Sequence, residues 1–220
     1  MSLDQLCRLL LTGLYETLFM TVPSTLISYL IGMPLGILLV ITKPGHIKPM
    51  PRFNAVLGAV INFLRSIPFI ILLAMLIPVT RAVMGRAIGT AAIIFPLTVS
   101  AFPYVARMVE GAIGEVDRGI IEAAQSMGST DFQLIRKVLI PESLPSLLNG
   151  AAISTVTILG YTAMASAASG GGLGSLAITK GFRLNDMNTM YAASILLVIV
   201  VQLITVLGTW ATRRIDHRKS

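Results

Sequence analysis

Apolar residues run along this chain in long unbroken stretches instead of alternating with polar ones. The stretch 17–42 carries no charge, 53–80 is interrupted only by Arg65, and 87–106, 143–179 and 187–212 are again uncharged. A hydrocarbon core about 30 Å thick is crossed by about 20 helical residues. The pattern therefore predicts five membrane spans, at about 17–42, 56–80, 87–107, 143–168 and 188–212, within one transmembrane domain covering 1–220. Barrel strands would alternate and be about ten residues long, so the spans are predicted as helices. Pro23, Pro34, Pro68, Pro96 and Pro103 fall within them and are expected to kink them. The 143–179 stretch is too long for one span. Gly170, Gly171, Gly172 and Gly174 are expected to mark the helix end and a re-entrant segment or loop.

Composition agrees with a lipid environment. The 220 residues are 55% hydrophobic and 12% charged, with a mean hydropathy of +0.82, and soluble domains carry about twice that share of charge. The net charge of +7 sits in short clusters between apolar runs, with no basic stripe and no interleaved aromatics. No nucleic-acid partner is therefore expected. Asp4 and Arg8 offset each other, and the first apolar run is longer than a signal peptide's core, so that run is expected to stay in the membrane.

Lys and Arg near the span ends set the orientation. Lys43, Lys48, Arg52, Arg107, Arg118, Arg136, Lys137, Arg213, Arg214, Arg218 and Lys219 fall on one side. They outnumber Arg8, Arg81, Arg86, Lys180 and Arg183 on the other. The expectation is a multi-pass membrane protein, with its N-terminus external and its C-terminus cytoplasmic.

The chemistry of a self-contained enzyme or carrier is missing from the sequence. Only Glu16 among the acids approaches a span, at its outer edge, whereas a proton-driven carrier needs an acid or histidine within its helices. Gly174–Lys180 imitates a phosphate loop, but Thr179 stands where a Walker A motif needs Gly. The Gly170–Gly174 cluster follows an apolar helix, not a strand, which argues against a dinucleotide fingerprint. Asp216–His217 has no nucleophile beside it, and His46 and His217 lie in separate basic loops. No catalytic residue, metal site or bound cofactor is expected in this chain, and Cys7 is expected as a plain thiol.

Six of the ten acids (Glu110, Glu115, Asp117, Glu122, Asp131, Glu142) lie in one segment, 110–141 and its edge, on the predicted cytoplasmic side. Ile120, Ile121, Ala124 and Met127 recur at helical spacing and Gly128 stops the helix. Thr130 and Gln133 form a capping-box pattern that opens a second short helix, with Phe132, Ile135 and Val138 on one face and Pro141 at its end. Periodicity leaves two readings open: a knob that another protein grips, or a pair of helices lying on lipid.

The spacing of this segment resembles the EAA loop of binding-protein-dependent ABC importer permeases. That pattern is Glu-Ala-Ala, three residues, Gly, nine residues, Ile, any residue, Leu-Pro. Here it is met by Glu122, Ala123, Ala124, Gly128, Val138, Ile140 and Pro141, with Val138 and Ile140 as apolar departures. Arg65-Ser66-Ile67-Pro68 resembles a segment in the second span of amino-acid importer permeases, and Gly172-Leu173-Gly174 resembles their external loop after the fourth span. Across nearly its whole length the chain resembles the D/L-methionine importer permeases.

The resemblance implies a type I importer architecture: an all-α integral membrane fold of five transmembrane helices with short cytoplasmic coupling helices. It implies that Glu122, Ala123, Ala124, Met127 and Gly128 dock on a separate ATPase subunit, present in two copies, which holds ATP and Mg. It also implies a second copy of this permease, a periplasmic or lipid-anchored methionine-binding protein, and surrounding membrane lipid as partners. Thr155, Thr157, Tyr161, Met164 and Ser166 are candidate residues of the translocation pathway. Arg65 has two readings: a brace or snorkelling cation at the span's edge, or a residue of the pathway. A stand-alone secondary carrier or channel is the alternative function, and a non-transporting scaffold a further one.

Overall fold

The computed structural model describes residues 3–165 and 170–215. Among them every regular element is a helix and none is a strand. In order these are α1 (Leu3–Ile41), α2 (Pro51–Ser66), α3 (Phe69–Met75), α4 (Ile77–Met84), α5 (Thr90–Gly114), α6 (Arg118–Ser126), α7 (Asp131–Leu134), α8 (Ile140–Ala165), α9 (Gly172–Ser175) and α10 (Met187–Ile215). Two π-helical stretches, Ile135–Leu139 and Leu176–Arg183, join α7 to α8 and follow α9. Asp216, His217, Arg218 and Lys219 of the basic tail lie outside the described residues.

Four helical segments are long and apolar enough to cross a membrane, and α2 with α3 makes a fifth if that pair is taken as one broken span. The predicted span 56–80 is thus not one rod. Its chain bends by 95° between α2 and α3 and starts α4 just beyond. The break falls at Ile67-Pro68: Ile67 is extended (φ −79°, ψ 121°) and Pro68 lacks the N–H that would continue the helix. α1 begins at Leu3, well before the expected Thr17, and α5 continues to Gly114.

Small residues let α1 and α5 pack closely. Ser24, Ser28, Gly32 and Gly36 repeat every four residues and so share one face of α1. The Ser24 and Ser28 hydroxyls donate to the carbonyls of Ile94 and Thr98, each at 3.4 Å. A Cβ on Gly32 would lie 2.8 Å from the Phe102 carbonyl oxygen, and one on Gly36 would lie 2.6 Å from that of Ala106. In lipid, where apolar burial gives no drive between helices, such close approach supplies the attraction. α10 meets α8 the same way, with Gly208 against Ala152.

Pro141 was expected to end the second cytoplasmic helix, and it does not. Asp131–Ala165 is one helix of 35 residues. The π turn just ahead of Pro141 explains this: the Ile140 N–H donates to the Ile135 carbonyl, five residues back. Widening the ladder there relieves the demand for the N–H that Pro141 lacks. α7 and α8 are therefore one rod, about 50 Å long at 1.5 Å per residue.

Candidate functional site

The segment between α5 and α8 is a helix–turn–helix rooted in the core of the bundle. Asp117 caps α6, its Oδ1 accepting the Gly119 N–H at 2.6 Å. At the other end Gly128 has φ +79°, its N–H donates to the Gln125 carbonyl, and the Ser129 N–H donates to that of Ala124. This is a Schellman termination, which requires a left-handed residue at that position. Thr130 and Gln133 then cap α7 reciprocally: the Gln133 N–H donates to Thr130 Oγ1 and the Thr130 N–H to Gln133 Oε1.

The two faces of this knob differ. Ile121, Ala124, Leu134 and Leu139 are buried in one cluster with Val40, Val109, Ile113 and Leu147, so α6 and α7 are packed into α1, α5 and α8. Glu122, Ala123, Gln125, Ser126, Met127 and Gly128 are exposed. Met127 is 80% exposed and Phe132 68%, which marks an apolar surface with none of the described residues packed upon it. Phe132 thus departs from the expected grouping with Ile135 and Val138, which are partly buried. The loop after α1 completes the surface, with Gly45, His46 and Ile47 lining a small hollow beside Arg118, Ile121, Glu122 and Gln125. Burial, followed by the nearby charges of Arg118 and Lys43, holds the His46 imidazole below its usual pKa.

Above the knob, charged groups tie three helices together. Glu110 takes Lys43 Nζ on one carboxylate oxygen at 2.7 Å and Arg107 on the other. Arg107 also donates to the Gly58 carbonyl of α2 at 2.8 Å. The Asn54 amide donates to the Leu39 carbonyl and to Thr42 Oγ1, fastening the start of α2 to the end of α1. None of these partnerships was readable from sequence spacing, apart from the Arg107–Glu110 pair one helical turn apart.

The candidate pathway residues do not form one patch. The hydroxyls of Thr155 and Thr157 donate to their own helix, at Ala151 and Ile153. They lie on nearly opposite sides of α8 at about 100° per residue. Thr157 lines a groove toward α10 with Asn149, Thr205 and Thr209. Met164 is half exposed, and Ser166 lies outside the described residues. Tyr161 is different: its ring stacks on Phe69 at a centroid distance of 4.9 Å and an interplanar angle of 9°. The break at Arg65–Pro68 thereby delivers α3 onto α8.

At the predicted external end, the glycine cluster is a buried turn that leads into α9. The Gly172 N–H donates to Glu16 Oε2 at 2.6 Å, and the Leu173 N–H to Thr17 Oγ1 at 2.9 Å. Gly171 and Gly172 have φ of +76° and +81°, and Gly172, Leu173 and Gly174 are buried. Glu16 at the edge of the first apolar run and the glycine cluster were each visible in the sequence, but nothing in their spacing joined them.

Comparison with known proteins adds the following. The family of binding-protein-dependent transport system inner membrane components matches residues 32–220. The probable D-methionine transport system permease protein MetI of Vibrio cholerae is 46% identical over 211 residues, covering 96% of this chain and 93% of that protein. The D-methionine transport system permease protein MetI of Escherichia coli is 49% identical over 156 residues, 71% of this chain and 72% of that one. Among solved structures, an inward-facing MetNI methionine ABC transporter chain is similar with a TM-score of 0.96 and 44% identity. It covers 99% of this chain and 100% of that one.

Proposed function

The chain belongs to the binding-protein-dependent transport system inner membrane component family, and from that premise we propose that it forms the translocation pathway of an ATP-driven methionine importer. It is the permease subunit of an ABC transporter, a multi-pass membrane protein whose ATPase is a separate chain. The single observation that carries the mechanism is the knob: an exposed surface of Glu122, Ala123, Met127 and Gly128 whose other side, including Ala124 that was expected to dock outward, is packed into three spans.

Two copies of this chain stand side by side, with an ATPase subunit under each. α6 and the start of α7 sit in a cleft on the ATPase, where burying Met127 or Phe132 contributes about 1.5–3 kcal/mol each. ATP and Mg are held by the ATPase pair. When that pair closes, the knobs are drawn together, and the rod Asp131–Ala165 carries the movement across the membrane as a rigid body. The pathway then opens outward to receive methionine, as either stereoisomer, from a binding protein. Hydrolysis returns it inward. The N-terminus lies outside and the C-terminus in the cytoplasm, as the distribution of Lys and Arg requires.

The test is co-purification from native membranes in mild detergent, comparing the unaltered chain with a Glu122→Lys, Gly128→Arg double variant. An ATPase should accompany the former and be lost from the latter, and methionine uptake should need both chains and ATP. Uptake by the purified permease alone would favour a stand-alone carrier and sink this reading.

A further inference from the structure

The cavity between α3, α4 and the start of α5 takes no part in the mechanism above. It measures about 260 Å³. Ile77, Thr80 and Arg81 line it from one face of α4, and Ile93 and Pro96 from one face of α5, each set at helical spacing. Leu73 of α3 and Ile93 make a fixed floor, both buried in a core cluster with Met20 and Leu97. Ile88, in the turn between α4 and α5, lines the cavity at its rim and is 63% exposed. Pockets for drug-sized ligands begin at about 300 Å³, so this one suits a smaller molecule, the size of a single amino acid.

Two polar groups enter this otherwise apolar cavity, and neither is spent. Thr80 is 2% exposed, yet its hydroxyl has no hydrogen-bond partner among the described residues. Thr98, buried in α5, shows the usual outcome, its hydroxyl donating to the Ile94 carbonyl at 2.8 Å. Buried hydroxyls nearly always find a partner, so an open one beside a cavity marks a place for a ligand. Arg81 likewise has no ion pair or hydrogen bond among the described residues. No acid lines the cavity, and the sequence holds none between Glu16 and Glu110. The one formal charge at this site is therefore positive.

We propose that the cavity binds a small carboxylate with an apolar chain, which in the complete importer is methionine. The assignment rests on the methionine-import reading above. The planar Arg81 guanidinium matches a carboxylate with two parallel hydrogen bonds, and the Thr80 hydroxyl donates to an oxygen beside them. The chain of the ligand packs against Leu73, Ile77 and Ile93, where a flexible thioether fills an irregular apolar space well. With no acid to meet an ammonium group, the α-amino group is left to water and its stereochemistry is not read. Both stereoisomers of methionine, and the amine-free 4-methylthiobutanoate, therefore bind alike.

The test uses the complete complex of two permeases and two ATPases in lipid nanodiscs, without the binding protein. Cys7, the only cysteine of the chain, is removed by Cys7→Ser, and Ile88→Cys supplies a thiol at the rim. Alkylation of that thiol by a methanethiosulfonate reagent is followed on the separated permease. Methionine of either hand and 4-methylthiobutanoate should each slow it about tenfold at about ten times Kd, as the free fraction falls. Methioninol, which lacks the carboxylate, should not. Adding Arg81→Gln should abolish the protection, and Arg81→Lys should keep part of it. Thr80→Val, which keeps the shape and removes the hydroxyl, should weaken it and carries the comparison if Arg81→Gln fails to assemble. Equal protection by methioninol, protection that survives Arg81→Gln or Thr80→Val unchanged, or none by any solute would overturn the assignment. A thiol that reacts only after lipid is stripped would give the cavity to an acyl chain and overturn it too. Methionine uptake by the unaltered complex with its binding protein is measured alongside. Uptake without protection removes this site alone, whereas no uptake removes the functional reading.

Discussion

Glu16 and Gly172 lie 156 positions apart in the chain and are joined by a hydrogen bond of 2.6 Å. The carboxylate of α1 accepts the first free N–H of α9, and Thr17 accepts the next from Leu173 at 2.9 Å. A Cβ on Gly171 would stand 2.7 Å from Glu16 Oε2, and one on Gly172 2.8 Å from Thr17 Oγ1, so the approach admits only glycine.

Removing that clasp should loosen the end of the bundle where α1 meets α9. Glu16→Ala is expected to cost about 1.5–3 kcal/mol, the range for a hydrogen bond to a charged group. Glu16→Gln should recover part of it. Thermal unfolding of the detergent-purified protein reads both, and an unchanged midpoint in Glu16→Ala would refute the clasp.

The crossing of α1 and α5 predicts a contrast between two glycines. Gly36→Leu must push a side chain into the Ala106 carbonyl and Val109, at a cost of about 1–3 kcal/mol or more. Gly111→Ala meets nothing within 4 Å and should be neutral or slightly stabilising. Folded yield from membranes, measured by fluorescence-detected gel filtration, should fall only in the first.

Glu110 holds two cations, so its loss leaves Arg107 beside α2 without its counter-charge. Glu110→Ala is expected to be worse than Lys43→Ala, because Lys43 is 42% exposed and water replaces its partner. Comparing the melting points of the two single variants and the double variant decides it. Equal single effects would count against the network.

Gly128 is where the knob turns. At φ +79° an alanine is strained by about 1–2 kcal/mol although space is open around it. Gly128→Ala should fold and reach the membrane but lower the ratio of methionine imported to ATP hydrolysed. A normal ratio would mean that the turn geometry is not used in coupling.

His46 gives a pH dependence. Its folded pKa lies below the unfolded value, about 6.5. The unfolded loop therefore binds more protons as pH falls past that value, and stability of the 42–50 loop against α6 is lost in acid. Protection of the α6 amides against hydrogen exchange, corrected for the intrinsic rate at each pH, should fall below about pH 6.5 in the unaltered protein. It should stay level in His46→Asn.

The turn at Gly128 and the cap of α7 were legible because they are local. Gly128, Thr130 and Gln133 act on backbone groups within three or so residues, and that chemistry is written in spacing, whereas the Asp117 cap of α6 was seen only in the structure. Ile121 and Ala124 were rightly placed on an apolar face, but their neighbours Ile120 and Met127, equally apolar, face outward. Periodicity cannot separate a face that meets the core from one that meets another protein, since both are dry when the assembly is complete. The threonines proposed for the pathway shared a helix but not a side of it.

By itself, the sequence determined the environment, the helical class and the outline of the knob, because lipid forces every backbone polar group into local hydrogen bonds and leaves long apolar runs as the record. It also held the motif spacing that identifies the family. Only the tertiary structure decided that α2 and α3 are a bent pair, that a π turn carries the helix through Pro141, and that Glu16 reaches Gly172. Each of these depends on a partner distant in the chain or on a balance between a missing N–H and the packing around it. Such balances are settled by the assembled bundle and have no period to read.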